Sequence, residues 1–507
     1  MKGYITDKLM LRRRVFTEVA RLAYEGGGAK ELDELPYKIV PSGKDPFRKG
    51  IFFERELVGE RLRVAMGMSQ RSIHEPAPVS KGVDMSMIAE KYYEAPLITI
   101  LRVACNKCPV NRVFVTDACQ GCLERPCKEV CPKKCVEVEN ERSVIDQDKC
   151  IKCGLCMRSC PYNAIVKQER PCEKACGIGA IDEDENGHAR IDQDKCVQCG
   201  MCLSSCPFAA IVDKGQIYQT IKAIESDTDV YAIVAPAIAG QFGKGLTDTK
   251  MKEAFSILGF KDVFEVAIGA DLCTIQEAEH FIKDVPGNLP FMGTSCCPAW
   301  SKFAKKQFPE YSNTISMALT PMVLTARLIK KKHPGCKVAF IGPCLSKKQE
   351  ASRKSIKSCV DFTLTFEEVA GMFEAKSVDF DKIPEGEPLR KASKDGYGFA
   401  KGGGVAQAVA NYINRVKPEM DVKVVKAEGL KECNKMMQLA TKGKYDGCLI
   451  EGMACPGGCI GGAGTLQVLS KSEKNLDVAI NEARVESPLD NEFASLIPDL
   501  EKIDFED

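Results

Sequence analysis

Asp446-Gly447-Cys448-Leu449-Ile450 runs straight into Glu451-Gly452-Met453-Ala454-Cys455-Pro456-Gly457-Gly458-Cys459. The first part reads as a short buried strand, and the glycines, proline and cysteines that follow cannot prolong it, so the strand empties into a loop. The same design recurs twice upstream. Asp229-Val230-Tyr231-Ala232-Ile233-Val234-Ala235 stops at Pro236, and Lys337-Val338-Ala339-Phe340-Ile341 stops at Gly342-Pro343-Cys344. Amphipathic helical patterns lie between them, for example Thr320 to Lys332 and Ala406 to Val416. This alternation predicts an α/β domain over residues 216–470, with mostly parallel strands flanked by helices. Ligands of such sheets bind beyond the carboxyl ends of the strands, which is where two of the cysteine loops begin.

Upstream the composition changes. Seventeen of the 27 cysteines fall between Cys105 and Cys206. A chain of 507 residues with 44% hydrophobic content can bury large cores and needs no disulfide framework. With four histidines, mixed Cys/His zinc sites account for few of these cysteines, and thiolate-only iron–sulfur ligation fits better. A net charge of +1 gives no reason to expect nucleic acid, and no apolar run approaches the roughly 20 residues of a membrane span. The first residues lack a secretory pattern. The expectation is a cytoplasmic, anaerobic protein in a reducing compartment. Lys330-Lys331-Lys332-His333 reads as a solvated helix end, or as a docking patch for an acidic partner.

Cys150-x2-Cys153-x2-Cys156-x3-Cys160-Pro161 and Cys196-x2-Cys199-x2-Cys202-x3-Cys206-Pro207 match the bacterial ferredoxin run, in which three cysteines hold one [4Fe–4S] cluster and the fourth ligates its neighbour. A looser Cys119-x2-Cys122-x4-Cys127-x3-Cys131-Pro132 precedes them. Fourth-ligand exchange groups Cys119, Cys122 and Cys127 with Cys160, and Cys150, Cys153 and Cys156 with Cys131. It also groups Cys196, Cys199 and Cys202 with Cys176, and Cys105, Cys108 and Cys172 with Cys206. For the last set, buried thiols are the competing reading. Cys135 is left over as an unligated thiol. These four accessory clusters define a ferredoxin-like region, residues 101–215, that conducts electrons. Before it, residues 1–100 lack cysteine and show helical spacing at Val15, Val19, Leu22 and Ala23, with no readable role; after the catalytic domain, residues 471–507 form an acidic tail, read as a loosely packed helix.

Three loops remain: Thr294-Ser295-Cys296-Cys297-Pro298-Ala299-Trp300, Gly342-Pro343-Cys344-Leu345-Ser346-Lys347-Lys348-Gln349-Glu350, and Glu451 to Cys459. By spacing alone Cys297, Cys344, Cys455 and Cys459 fit no local metal motif, and a further cubane or buried cysteines in glycine-rich turns both stay open. Taken together and in this order, the loops resemble those of the [FeFe]-hydrogenases, over roughly residues 101 to 470. The resemblance implies that these four cysteines hold the [4Fe–4S] part of an H-cluster. Cys459 would bridge it to a two-iron subsite bearing CO, cyanide and a dithiolate with a bridgehead amine. The glycine pairs Gly457-Gly458 and Gly461-Gly462 would let backbone approach that cofactor closely. It further implies that Cys296 passes protons to and from the amine, that Lys347 holds a cyanide, and that Pro236 and Met453 form pocket walls. Glu277 and Ser316 would continue the proton path, with His280 where a second path carboxylate is expected.

Other positions depart from the pattern: Ala299, Gly342, Ala237 and Met322 replace a Gly, a Met, a Ser and a Gln, and Asp284 stands in place of an arginine. Of these, Ala299 and Gly342 point to a less-studied branch. The resemblance implies reversible H2 oxidation and proton reduction, with ferredoxin or another one-electron carrier as partner and hydrogenase maturation proteins to load the subsite. The other readings are an H2 sensor, for which no appended sensory region is visible, and a non-catalytic iron–sulfur assembly relative, which would not need Cys296, Lys347 and Met453.

Overall fold

Val15, Val19, Leu22 and Ala23 lie on helix α1 (Asp7–Tyr24), and all four are buried. Thr6 caps it, its side chain accepting the Leu9 N–H. α2 (Ala29–Ile39) and α3 (Ile51–Ala65) follow. The computed structural model describes residues 6–43, 50–109 and 111–502. The first three helices share one apolar core with the α/β part: Phe16, Val19 and Leu62 belong to the same cluster as Val230, Phe362 and Phe366. Arg12 of α1 reinforces the joint by pairing with Glu367 at 2.5 Å and Asp213 at 3.8 Å.

The cysteine-rich region consists of small two-stranded antiparallel units. Arg112–Val115 pairs with Ile165–Gln168, Val136–Glu139 with Arg142–Ile145, and Ile181–Glu183 with Ala189–Ile191. Ile98–Ile100 pairs with Ile211–Asp213, closing the region onto its own start. Its cores are small and partly made of the cysteines themselves.

Seven strands build the α/β part: β1 (Val230–Val234), β2 (Val263–Glu265), β3 (Met292–Gly293), β4 (Lys337–Ile341), β5 (Phe362–Leu364), β6 (Lys423–Glu428) and β7 (Cys448–Met453). They form two sheets, with orders β2-β1-β4-β5 and β3-β7-β6, and every pairing within them is parallel. β1 and β7 are buried along their whole length, as expected for parallel strands covered on both faces. The flanking helices that matter for the site are α4 (Ala267–Asp284), α5 (Pro298–Gln307), α6 (Pro321–Lys332) and α7 (Leu345–Ala351).

The basic run is the solvated end of α6, with Lys331 and Lys332 exposed. Lys330 pairs with Asp361 at 3.0 Å, Lys331 with Asp499, and Lys332 sits 3.9 Å over the Phe493 ring. His333 stacks on Tyr231. One detail differs from the expectations: the carboxyl-terminal stretch is anchored rather than loose. A helix at Leu469–Glu482 buries Leu476, and beyond it Phe493, Ile497 and Leu500 enter the core around α4. Asp504 to Asp507 lie outside the described residues.

Candidate active site

Four strands from the two sheets end at the same place. β1 leads to Pro236, β4 to Cys344, β3 to Cys296 and Cys297, and β7 to Cys455. Pro236, Cys296, Cys297, Cys344, Lys347 and Cys459 all line one cavity of about 80 Å³, whose remaining wall is apolar and includes Ala237, Met322 and Phe340. Three of the positions that depart from the family pattern are therefore explained together. Ala237 and Met322 face the cavity, and Gly342 makes room for Phe340, since a β-carbon there would stand 2.5 Å from the Phe340 ring. Met453 is buried in the core that Cys296 and Cys297 pack against, off the cavity wall itself.

Cys297 and Cys344 each occupy the position just before a helix, α5 and α7. Burial pushes the Cys297 thiol up, but the backbone N–H groups of Ala454, Trp300 and Ala299 and the Lys347 ammonium favour its thiolate. Cys344 is pushed up to about 11 by burial and then by the Cys297 charge. Burial, then the charges of Cys344 and Cys297, raise Cys455 and Cys459 as well. Four thiolates that repel one another in a water-poor pocket require a cationic partner, and an all-thiolate donor set of this kind suits an iron–sulfur cubane. Among the described residues, no three Cys, His, Asp or Glu side chains converge on one point that would hold a single metal ion. Gly458 has φ +78°, and a β-carbon there would lie 2.5 Å from the Gly402 nitrogen, so the space is taken by protein backbone.

Cys296 is pushed well above the ordinary thiol range by burial and then by the nearby Glu277 and Glu451 carboxylates. Glu277, fully buried on α4, accepts the Ser295 N–H at 2.7 Å and the Ser295 hydroxyl at 2.8 Å on Oε1, while Oε2 has no hydrogen-bond partner. Burial raises it to about 7 against the hydrogen bonds from Ser295 and the nearby Ser316 hydroxyl. His280 is half-buried one helical turn further along α4, and Asp284 closes the helix by accepting from Asn288 at 3.0 Å. Lys347 donates to Glu350 Oε2 at 2.6 Å and to Thr320 Oγ1 at 3.0 Å. Its pKa is raised: burial lowers it, but the charge and hydrogen bond of Glu350 outweigh that.

Two residues were missed. Glu451 is buried, accepts the Gly403 and Ala406 N–H groups at 2.7 and 2.8 Å, and is raised by burial to about 7. Glu350 is the counter-ion of Lys347. Both stand in quoted loops, and the available signal was a carboxylate embedded in an otherwise apolar or cysteine-bearing stretch.

In the cluster region, burial and then the Cys206 thiolate raise Cys172 to about 11, with Cys105 also contributing. Burial, Cys206 and Cys105 likewise raise Cys108, so the widely separated set comes together. Cys202 responds, after burial, to Cys199, Cys196 and Cys176, and Cys156 to Cys150, Cys153 and Cys131. For Cys119 the leading influences are hydrogen bonds from Ser143 and Gly121, while Cys127 and Cys160 belong to one small core. Cys199 feels the charge of Cys297 across the border between the regions.

Residues 228–463 match the carboxyl-terminal domain of the iron only hydrogenase large subunit, and residues 149–210 match a 4Fe-4S dicluster domain. Over 409 residues the chain is 28% identical to iron hydrogenase 1 of Clostridium pasteurianum, covering 70% of each chain. It is 30% identical over 294 residues to the periplasmic [Fe] hydrogenase large subunit of Nitratidesulfovibrio vulgaris, covering 47% of this chain and 69% of that one. A shorter likeness, 28% over 160 residues, joins it to a cytosolic Fe-S cluster assembly factor of Kluyveromyces lactis, covering 29% of this chain and 34% of that one.

Proposed function

We propose, for a chain that belongs to the iron-only hydrogenase family and carries iron–sulfur clusters, the reversible interconversion of H2 with protons and electrons. Cys297, Cys344, Cys455 and Cys459 would hold the cubane of the active group, with Cys459 shared with its two-iron part. When bound, that group supplies the open iron site, CO, cyanide and bridgehead amine at which H2 is made or split.

The chain's own residues handle the proton and the charge. Cys296 keeps its proton at neutral pH because ionising it beside Glu277 and Glu451 is unfavourable, so it acts as a thiol donor on the cavity wall. Glu277, raised to about 7, can itself both accept and return a proton around neutrality. Ser295 holds its carboxylate in place. Lys347 stays a cation in the cavity wall through Glu350 and would orient an anionic ligand there. The apolar lining excludes water, so protons pass through named groups rather than solvent. Electrons would leave through the Cys196, Cys199, Cys202 and Cys176 set beside Cys297, then along the remaining three accessory clusters to a ferredoxin or similar carrier. Cytoplasmic placement remains the expectation from the reducing chemistry; no helix among the described residues is long and apolar enough to cross a membrane.

The observation that carries this reading is the meeting of Cys296 and Lys347 with three of the four ligand thiols, Cys297, Cys344 and Cys459, around one largely apolar cavity. An assembly relative has no evident use for a non-ligating thiol and a buried cation there. The test is turnover with a one-electron viologen dye, in both directions, after loading with the complete iron group. Hydrogen evolution and H2-dependent dye reduction are expected; a fully loaded protein inert in both overturns the proposal.

A further inference from the structure

Three turns in the cluster region are built alike. Cys131-Pro132-Lys133-Lys134-Cys135, Cys160-Pro161-Tyr162-Asn163-Ala164 and Cys206-Pro207-Phe208-Ala209-Ala210 each lead into a short strand, beginning at Val136, Ile165 and Ile211. In each, the fourth residue donates its N–H back to the cysteine carbonyl and takes a left-handed conformation, with φ of +49°, +50° and +48°. The fifth residue is then turned inward, and its exposure is 3%, 1% and 2% respectively. In two copies that inward slot holds the methyl of an alanine. In the first it holds the thiol of Cys135.

The thiol sits where an iron ligand would. Cys131, Cys135, Cys150, Cys153 and Cys156 line one small cavity, five thiols where a cubane takes four. Cys131 Sγ and Cys135 Sγ are 3.4 Å apart. Ligands on different corners of a cubane diverge, so two sulfurs in contact compete for the same corner. We propose that Cys135 is a reserve ligand for the corner held by Cys131, able to keep this cluster in place when Cys131 is lost. This rests on the reading that Cys131 joins Cys150, Cys153 and Cys156 at one cubane. The exchange needs no oxidant or reductant: Cys135 releases its thiol proton to water as its sulfur binds iron. Only a short rearrangement of the Cys131–Cys135 turn is required, and no equivalent exists for Cys160 or Cys206, whose turns carry Ala164 and Ala210.

Iron content per chain and the electron paramagnetic resonance of the reduced, cluster-loaded full chain test this without any assay of turnover. Cys131→Ala is expected to keep its full iron and show a displaced cluster signal. Cys135→Ala should keep both iron and the original signal, and the double variant should lose about four iron atoms. Cys160→Ala serves as the internal control and should lose iron alone. Loss of about four iron atoms in Cys131→Ala by itself, or full retention in the double variant, overturns the proposal. If instead Cys150→Ala also keeps all its iron, the underlying assignment of the cubane is what fails.

Discussion

The cysteines at the outer edge of the cluster region, around Cys153, and those of the cavity live in different surroundings. Cys153 is exposed, and the residues around it include exposed Ile151 and Lys152 in the same loop and Arg158 on the short helix Leu155–Ser159. Cys297, Cys344 and Cys459 lie instead beyond the carboxyl ends of two parallel sheets, where with Lys347 they line one largely apolar cavity. An electron can cross protein without a chemical handle at each step, so its carriers can sit near the surface where a partner docks. A proton needs a titratable group at every step, so its route must be enclosed and its pKa values brought near neutrality. The difference teaches that this chain separates its two currents by burial.

The sharpest way to break that contrast is to remove the enclosed proton donor. Cys296→Ala should lower turnover by about 10²–10⁴-fold with iron content unchanged. Iron loss in the variant would make Cys296 a ligand and place it with the other class of cysteine.

The joint between the regions comes next. Lys348, fully buried, donates at 2.9 Å to Asp213, from the strand that ends the cluster region, and at 2.9 Å to Glu368 of the catalytic part. Lys348→Met would leave Glu368 buried without its counter-ion and Asp213 with only the more distant Arg12, at a cost of about 3–5 kcal/mol. The denaturant midpoint of the metal-free chain should fall accordingly; an unchanged midpoint would mean the regions fold independently of this contact.

Glu277→Gln should slow turnover about 100-fold. Its carboxyl, near 7, is protonated below neutrality and ionised above it. H2 oxidation, which needs it as an acceptor, should therefore weaken as pH falls below about 7, and proton reduction, which needs it as a donor, should weaken as pH rises above about 7. Both dependences should flatten in the glutamine variant. His280→Ala should cost less than about tenfold, below the range of a direct proton-transfer residue, and reshape the profile. An unaltered rate and profile would route protons away from the end of α4.

How far these features can be read from the bare chain follows the same division. The accessory ligands are legible because a cubane is wrapped by a local loop, and the spacing of Cys150, Cys153 and Cys156 encodes that loop directly. β1, β4 and β7 are legible because parallel buried strands are short apolar runs stopped by Pro, Gly or Cys. The meeting of Cys297, Cys344 and Cys459 is not local: it depends on two sheets aligning their carboxyl ends, and only the resemblance of the loops foreshadowed it. Glu451 and Glu350 escaped notice because a carboxylate gains its role from burial, which spacing does not report. The packing of α1 onto the catalytic core was likewise hidden, since an amphipathic face such as Val15, Val19 and Leu22 declares that it is covered and not by what.

The most direct test of the enclosed catalytic site is the infrared spectrum of the chain after loading with the complete iron group. The account predicts CO and cyanide stretching bands, with the cyanide bands displaced in Lys347→Met. A chain holding its full complement of cubane iron and showing no such bands after loading would contradict it.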